Sequence, residues 1–484
     1  MLFNSFHFFV FFPVVTIIYF LLSYKYRWMF LLAASCYFYM VFVPYYIFIL
    51  AGTIVIDYFA GIIIEGGRSA AEKKRFLLLS LAANIGVLAV FKYYNFFTAN
   101  INQLMESIGI HTAQLPYLGI LLPIGLSFHT FQAMSYTIEV YRGNQKAERN
   151  FIIYALYVMF YPQLVAGPIE RPQNVLPQFH RHYDVNYERI SAGLKQMVWG
   201  FFKKIVIADR LAVLVNHGYS NIEGSDGLSL LVYTYFFAFQ IYCDFSGYSD
   251  IAIGAAKVMG IDLMENFRIP YVSRSVKEFW ERWHISLSTW FRDYLYIPLG
   301  GNRVMKWRWY YNLFIVFLVS GFWHGANWTY IVWGILHGTY LITGLILNSY
   351  TGGKKGGDKN SMGGRMLTAL KVFITFNVVS LAWIFFRAES VSDAVTVISR
   401  IGGSFHLHSL HGLTIFTAAK PSTLLVTLLL LILFICIDPA MDRLVKNRIQ
   451  LRYKPYRIFL FAGLTIFILL FGHFGETNFI YFQF

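Results

Sequence analysis

The sequence predicts an all-α, polytopic membrane protein with about eleven to thirteen transmembrane helices. Of its 484 residues 57% are hydrophobic and the mean hydropathy is +0.52, beyond what a water-soluble fold carries. The apolar residues fall in runs close to the roughly 20 residues a bilayer-crossing helix needs, and in lipid only helices and closed barrels satisfy every backbone polar group. Lys and Arg, which give a formal net charge of +15, sit in short segments between those runs. That distribution sets membrane orientation and points to no nucleic-acid partner.

The runs 6–22, 29–43 and 45–64 are separated by Lys25 and Arg27 and by Pro44. The first lacks a basic leading region and an Ala-x-Ala site, so it reads as a membrane helix and not as a cleavable signal. The loop 65–75 carries Arg68, Lys73, Lys74 and Arg75; with the basic loops in the cytoplasm, the N-terminus lies outside. Run 76–94 crosses back, and 95–114, nearly free of Lys and Arg, reads as an external loop. Run 118–138 leads to the basic turn 142–149, and 151–166 follows.

From 167 to 189 the composition turns to GPIERPQNVLPQFHRHYD, whose prolines and alternating charges predict a surface or re-entrant segment. The stretch 190–215 opens amphipathic, with Lys195, Lys203, Lys204, Asp209 and Arg210, and part of it is expected along the membrane surface. Run 228–261 is interrupted by YCDFSGYSD, which sets Asp244 and Asp250 at membrane depth. Runs 310–322 and 328–347 flank His324, 351–365 is a flexible basic loop, and 367–386, 424–437 and 458–471 complete the crossings. Both termini come out external. No internal repeat is visible, and the chain reads as one membrane domain, 1–484, with core motifs over 118–387 and C-terminal helices over 388–484.

The chemistry concentrates between Glu278 and His337. As one helix, 276–294 places Trp280, Trp283, Leu287, Trp290, Phe291 and Tyr294 on one face and Lys277, Glu278, Glu281, Arg282, Arg292 and Asp293 on the other. His284 falls on the seam, and Glu278 pairs with Arg282 at i, i+4. Arg303, Lys306 and Arg308 put this element on the cytoplasmic side. The run 310–322 is shorter than a full span, which sets Trp323, His324 and Gly325 inside the membrane layer, where Gly321 and Gly325 allow close approach. A neutral imidazole there is suited to take a proton from a hydroxyl, with His284 orienting it or assisting. The competing structural reading is a membrane histidine hydrogen-bonded to a neighbouring helix.

Other signals are weaker. His406, His408 and His411 are close enough to ligate a metal, but no carboxylate or Cys spacing accompanies them, and no metal site is assigned. Cys36, Cys243 and Cys436 lie in apolar runs without CxxC spacing and read as buried hydrophobes. His129 and His337 read as packed or hydrogen-bonded, with substrate contact open to His129. Asp57 is ambiguous. Asp244 and Asp250 read either as coupling groups of a transporter or as tunnel-lining residues satisfied by Ser246, Ser249 and the nearby tyrosines. No GxSxG elbow, HExxH or Walker loop is present.

The stretches WHISLSTWFRDYLYIPLGGNR, SGFWHGANWTYIVWGILHG, YCDFSGYSDIAIG, LLPIGLSFHTFQAMSYTIEVYRG and PQLVAGPIERP closely resemble the membrane-bound O-acyltransferase family, and within it the bacterial alginate O-acetyltransferase group. The resemblance runs from about Leu2 to Arg387 and is only general beyond. It implies a ring of helices around a central tunnel in which a cytoplasmic donor meets an extracytoplasmic acceptor at His324, the catalytic residue, with His284 as the second catalytic group. The candidate substrate and tunnel residues are Trp283, Trp290, Arg292, Asp293, Trp323, Asn327, Asp244 and Asp250. No bound cofactor is expected.

The implied activity moves an acetyl group from acetyl-CoA across the bacterial cytoplasmic membrane toward hydroxyls of an extracytoplasmic polysaccharide such as alginate. An extracytoplasmic acetyltransferase is the implied protein partner, and membrane lipids surround the chain. Acylation of peptidoglycan, or D-alanyl transfer to teichoic acid from a carrier protein, is the nearby alternative. A transporter or flippase coupled through Asp244 and Asp250 is the alternative from another class, against which the missing repeats count.

Overall fold

The computed structural model describes residues 1–111, 114–350, 361–403, 415, 420–446, 454–474 and 479–480. Among them the regular structure is helical, as the apolar runs require. The contacts divide the chain into two compact units, one of 1–197 with 248–264 and one of 198–247 with 265–484.

In the first unit, α1 (Phe6–Leu21) is opened by Ser5, whose hydroxyl accepts from the Phe8 amide, and α2 (Tyr24–Met40) follows. Then come α3 (Ile47–Gly66) and α4 (Ala70–Leu88), and a π-turn at Ala89–Tyr93 joins α4 to α5 (Tyr94–Ser107). The expected external loop at 95–114 is therefore helical as far as Ser107. It is rich in Asn, but nothing in it breaks a helix before Gly109, which ends it at φ +80. Crossing 118–138 is shortened in turn: Pro123 and Gly125, at φ +77, hold the chain non-helical until α6 (Leu126–Tyr141).

Three of these helices are joined by a polar knot. Ser80 Oγ of α4 donates to Asp57 Oδ1 of α3 at 2.6 Å and is 3.0 Å from Thr137 Oγ1 of α6, and Asn84 Nδ2 reaches both Asp57 oxygens. This gives Asp57 a structural role, since a buried carboxylate is tolerated only when hydrogen-bonded. Helices α7 (Phe151–Met159), α8 (Tyr161–Leu164) and α9 (Pro172–Phe179) follow. The polar segment, expected at a surface or as a re-entrant stretch, is buried at its start and exposed toward its end: residues 165–170 are all buried, Glu170 fully, its carboxylate accepting from the Met264 amide and Asn174, whereas most of 180–189 is exposed. Burial holds the Glu170 carboxyl up at about 7 against those bonds.

The amphipathic stretch does not lie on a surface throughout. After α10 (Tyr187–Phe201) a π-helix at Phe202–Ala208 leads into α11 (Asp209–Ser220), and Lys203, Lys204 and Asp209 are all buried. In the second unit, Lys204 Nζ lies 2.8 Å from both Asp209 and Asp244. Mutual neutralisation is what lets these charges turn inward. Burial alone would lower the Lys204 ammonium, but the two carboxylates raise it.

The 33-residue α12 (Gly227–Met259) is followed by two short helices, α13 (Val276–Trp280) and α14 (Ile285–Phe291), then α15 (Lys306–His324), α16 (Trp328–Tyr350), α17 (Met362–Arg387), α18 (Val391–Gly403), α19 (Pro421–Val445) and α20 (Lys454–Phe471). Six stretches among the described residues are long and apolar enough to cross a bilayer, and 6–21 and 458–471 are shorter apolar helices. Of the other expected crossings, 29–43, as far as Met40, and 310–322 lie in the unbroken helices α2 and α15, whose first turns carry Lys25 and Arg27 or Lys306 and Arg308, and 118–138 and 151–166 are cut short at Pro123 and at Pro162. His406, His408 and His411 lie outside the described residues.

Candidate active site

Within the second unit, the helix expected over 276–294 is broken in the middle. Ser275 caps α13, accepting from the Glu278 amide at 3.1 Å while Glu278 accepts from the Arg274 amide at 2.9 Å. The expected Glu278–Arg282 pair forms at 2.7 Å. The chain then leaves helical geometry, and His284 adopts φ +42, ψ +55, an uncommon conformation for a residue other than glycine.

The break is held by a stretch 18 residues upstream. The Arg268 amide donates to Arg282 O and the Ile285 amide to Asn266 O, each at 2.9 Å. The Asn266 side-chain oxygen accepts from the Ser286 amide at 3.3 Å and from Ser286 Oγ at 3.0 Å, and lies 3.1 Å from His284 Nδ1. An oxygen that accepts from a backbone amide assigns Nδ1 as the protonated nitrogen, which leaves Nε2 with the lone pair. His284 thus leaves the amphipathic seam and is fully buried, with the Phe245 ring edge-on at 4.6 Å. Burial pushes its imidazole down to about 3.

His324 ends α15 and is 5% exposed. Three rings surround it: Trp323 at 4.9 Å, Trp333 at 5.0 Å and Phe386 at 5.4 Å, all steeply inclined to it. Glycines bring the supporting helices together. A Cβ on Gly321 would lie 2.3 Å from Tyr330 O, and one on Gly334 would lie 2.4 Å from Phe317 O, so α15 and α16 meet backbone to backbone here. The sequence expectation of close approach at Gly321 and Gly325 holds, since a Cβ at Gly325 would strike the Tyr330 ring at 2.1 Å.

Tryptophans connect His324 to Trp283, the residue before His284. Trp283 packs on Trp383 at 5.0 Å, Trp383 on Trp333 at 5.9 Å, and Trp333 on His324 at 5.0 Å. Trp280, which packs on Trp333 at 5.7 Å, also lines a cavity of about 590 Å³ whose exposed lining includes Lys277 and Arg292 and whose buried lining includes Leu287, Phe291 and Ser320; neither His284 nor His324 lines it. Ser320 is one helical turn before His324 on α15.

The remaining sequence candidates are dispersed. Trp290 is buried against Tyr294 at 5.0 Å, and Arg292 pairs with Asp293 at 2.8 Å. Asn327 starts α16, its oxygen accepting from the Thr329 amide at 3.0 Å and its amide donating to Glu389 O at 2.9 Å. Asp244 is committed to Lys204 and accepts from the Ile480 amide. Asp250 belongs to the first unit, where it accepts from Gln196 at 2.9 Å. Asn266, Trp333 and Phe386 were not singled out by sequence. They come to the histidines from other elements, and no local spacing marks them.

Residues 143–350, which include both histidines, match the membrane-bound O-acyltransferase family. The chain is 42% identical over 391 residues to a probable alginate O-acetylase of Pseudomonas aeruginosa, covering 80% of this chain and 72% of that protein. The chain belongs to the membrane-bound O-acyltransferase family. This O-acyltransferase is also 37% identical over 399 residues to a peptidoglycan O-acetyltransferase of Helicobacter pylori, covering 77% of the chain and 73% of the relative. It is 33% identical over 292 residues to a teichoic acid D-alanyltransferase of Streptococcus thermophilus, covering 54% and 68%. The family places the enzyme in a membrane, in keeping with the six spanning-length helical stretches among the described residues.

Proposed function

We propose that this acyltransferase takes an acetyl group from acetyl-CoA at the cytoplasmic face of a bacterial cytoplasmic membrane and passes it to a hydroxyl on the other side, for O-acetylation of an extracytoplasmic polysaccharide such as alginate. The observation that carries this reading is the buried imidazole of His324, which lies in the segment that matches the family and is caged by Trp323 and Trp333 from that segment and by Phe386 from beyond it. The names of its relatives, a probable alginate O-acetylase and a peptidoglycan O-acetyltransferase, support acetyl as the acyl group and a polysaccharide as the acceptor.

In the proposed reaction His324 accepts the proton of the acceptor hydroxyl as that oxygen attacks the thioester carbonyl carbon. A C–O bond forms, the C–S bond breaks, and the proton passes to the departing thiolate, giving an ester and a thiol. His284, with its proton fixed on Nδ1 by Asn266, offers Nε2 as a second acceptor of fixed orientation. An amphiphilic donor finds matching chemistry beside the site, in the cavity between Lys277 and Arg292 and the buried Ser320. The immediate acceptor is a partner acetyltransferase outside the membrane, which hands the acetyl group to the polymer.

Coupled transport has less support, because Asp244 is neutralised by Lys204 and Asp250 is hydrogen-bonded to Gln196. The test is radiolabelled acetyl-CoA added to the protein in nanodiscs, following CoA release and label transfer for wild type and His324→Ala. Release that depends on His324 supports the reading. A folded wild type that releases nothing, with candidate acceptors present, rejects acetyl-CoA as donor and turns attention to a carrier-protein thioester.

A further inference from the structure

The aromatic lining of the site bears on acyl chain length. Resting on the acyl-transfer reading above, we propose that Trp333 is the wall that restricts the enzyme to short acyl groups, and that His337 is the positioning residue that keeps the wall in place.

Of the rings around His324, Trp333 is fully buried and packed on several sides. Besides His324 at 5.0 Å, it meets His337 at 4.9 Å, Phe386 at 5.4 Å, Trp280 at 5.7 Å and Trp383 at 5.9 Å. These are separations of aromatic pairs in direct contact, and packed interiors leave few voids that a methylene could enter. The backbone cannot retreat either. Gly334, the next residue, is pressed against the α15 carbonyl of Phe317.

His337 lies one turn further along α16 and accepts a hydrogen bond from Trp280 Nε1 on Nδ1 at 3.3 Å. That bond ties α13 to α16, and both of its partners pack on the Trp333 indole. On this proposal an acyl group delivered to His324 meets the Trp333 ring first, and each methylene beyond the methyl has to displace it. Trp333 therefore acts as a specificity-determining residue, and His337 acts through it.

The test uses the full chain in nanodiscs with acetyl-, butyryl- and hexanoyl-CoA, reading kcat/KM from thiol release. Wild type is expected to prefer acetyl. Trp333→Leu is expected to raise the butyryl-to-acetyl ratio by roughly tenfold or more, the discrimination that one or two methylenes earn in an apolar pocket. His337→Ala should raise the ratio less, and His337→Gln, which keeps an acceptor for Trp280, should stay near wild type. Were Trp333→Leu to lose its fold, Trp333→Phe gives the same readout with a smaller change in volume. An unchanged ratio in a folded, active Trp333 variant overturns this inference and leaves the acyl-transfer reading standing. A wild type inert toward all three thioesters overturns the donor assignment and this inference with it.

Discussion

The indole of Trp333 touches two imidazoles, that of His324 at 5.0 Å and that of His337 at 4.9 Å, so the proposed base and the helix behind it are packed through one side chain. Trp333 has this position because α15 and α16 meet at Gly321 and Gly334.

That contact makes Gly334→Ala a sensitive change. The new methyl group would meet Phe317 O at 2.4 Å, and a backbone atom cannot swing aside. The expected cost is about 1–3 kcal/mol of stability from overpacking, with a loss of acyl transfer as Trp333 shifts from His324. Thermal unfolding and turnover measured on the same preparation check both. Gly344→Ala on the same helix, where a Cβ meets nothing within 4 Å, should leave both nearly unchanged.

Asn266 offers a test of the His284 assignment. Asn266→Leu removes the acceptor that holds the Nδ1 proton, and acyl transfer is expected to fall by about 10²-fold, the lower end of what a positioned proton-transfer group contributes. Turnover assays on folded protein decide it; full activity in this variant would show that the tautomer of His284 is immaterial.

The burial of His284 also predicts a pH effect on stability. Its folded-state value of about 3 lies below the ordinary 6.5, so between those values the unfolded chain binds a proton that the native chain does not. Its contribution is fully present above pH 6.5 and is lost as pH falls toward 3. Glu170, held up at about 7, slopes the other way, but comparison with a variant that retains Glu170 cancels it. The melting temperature of wild type minus that of His284→Asn should fall as pH is lowered from about 7.5 to 4.5. Parallel curves would contradict the burial of a neutral imidazole.

The buried triad of Lys204, Asp209 and Asp244 predicts a large loss on removing its cation. Lys204→Met removes the ammonium that both buried carboxylates share, at an expected cost of about 3–5 kcal/mol. The exposed Lys277–Glu281 pair, by contrast, should contribute no more than about 1 kcal/mol. Thermal or denaturant unfolding in detergent compares the two.

The sequence by itself determined that the chain is helical, that it lives in a membrane, and that His284 and His324 are the groups to examine. Hydropathy and charge placement are properties of the linear chain, and the motifs around both histidines are contiguous. Only the tertiary structure decided where helices stop and what faces what. The break at His284 depends on Asn266, the inward turn of Lys204 depends on Asp209 and Asp244 and that of Lys203 on Ser246, and the cage on His324 draws Phe386 from 62 residues downstream. A helical period places residues on faces but carries no information about which distant element covers a face. The partners that neutralise a buried charge, fix an imidazole proton or wall off an acyl group are set by packing between elements.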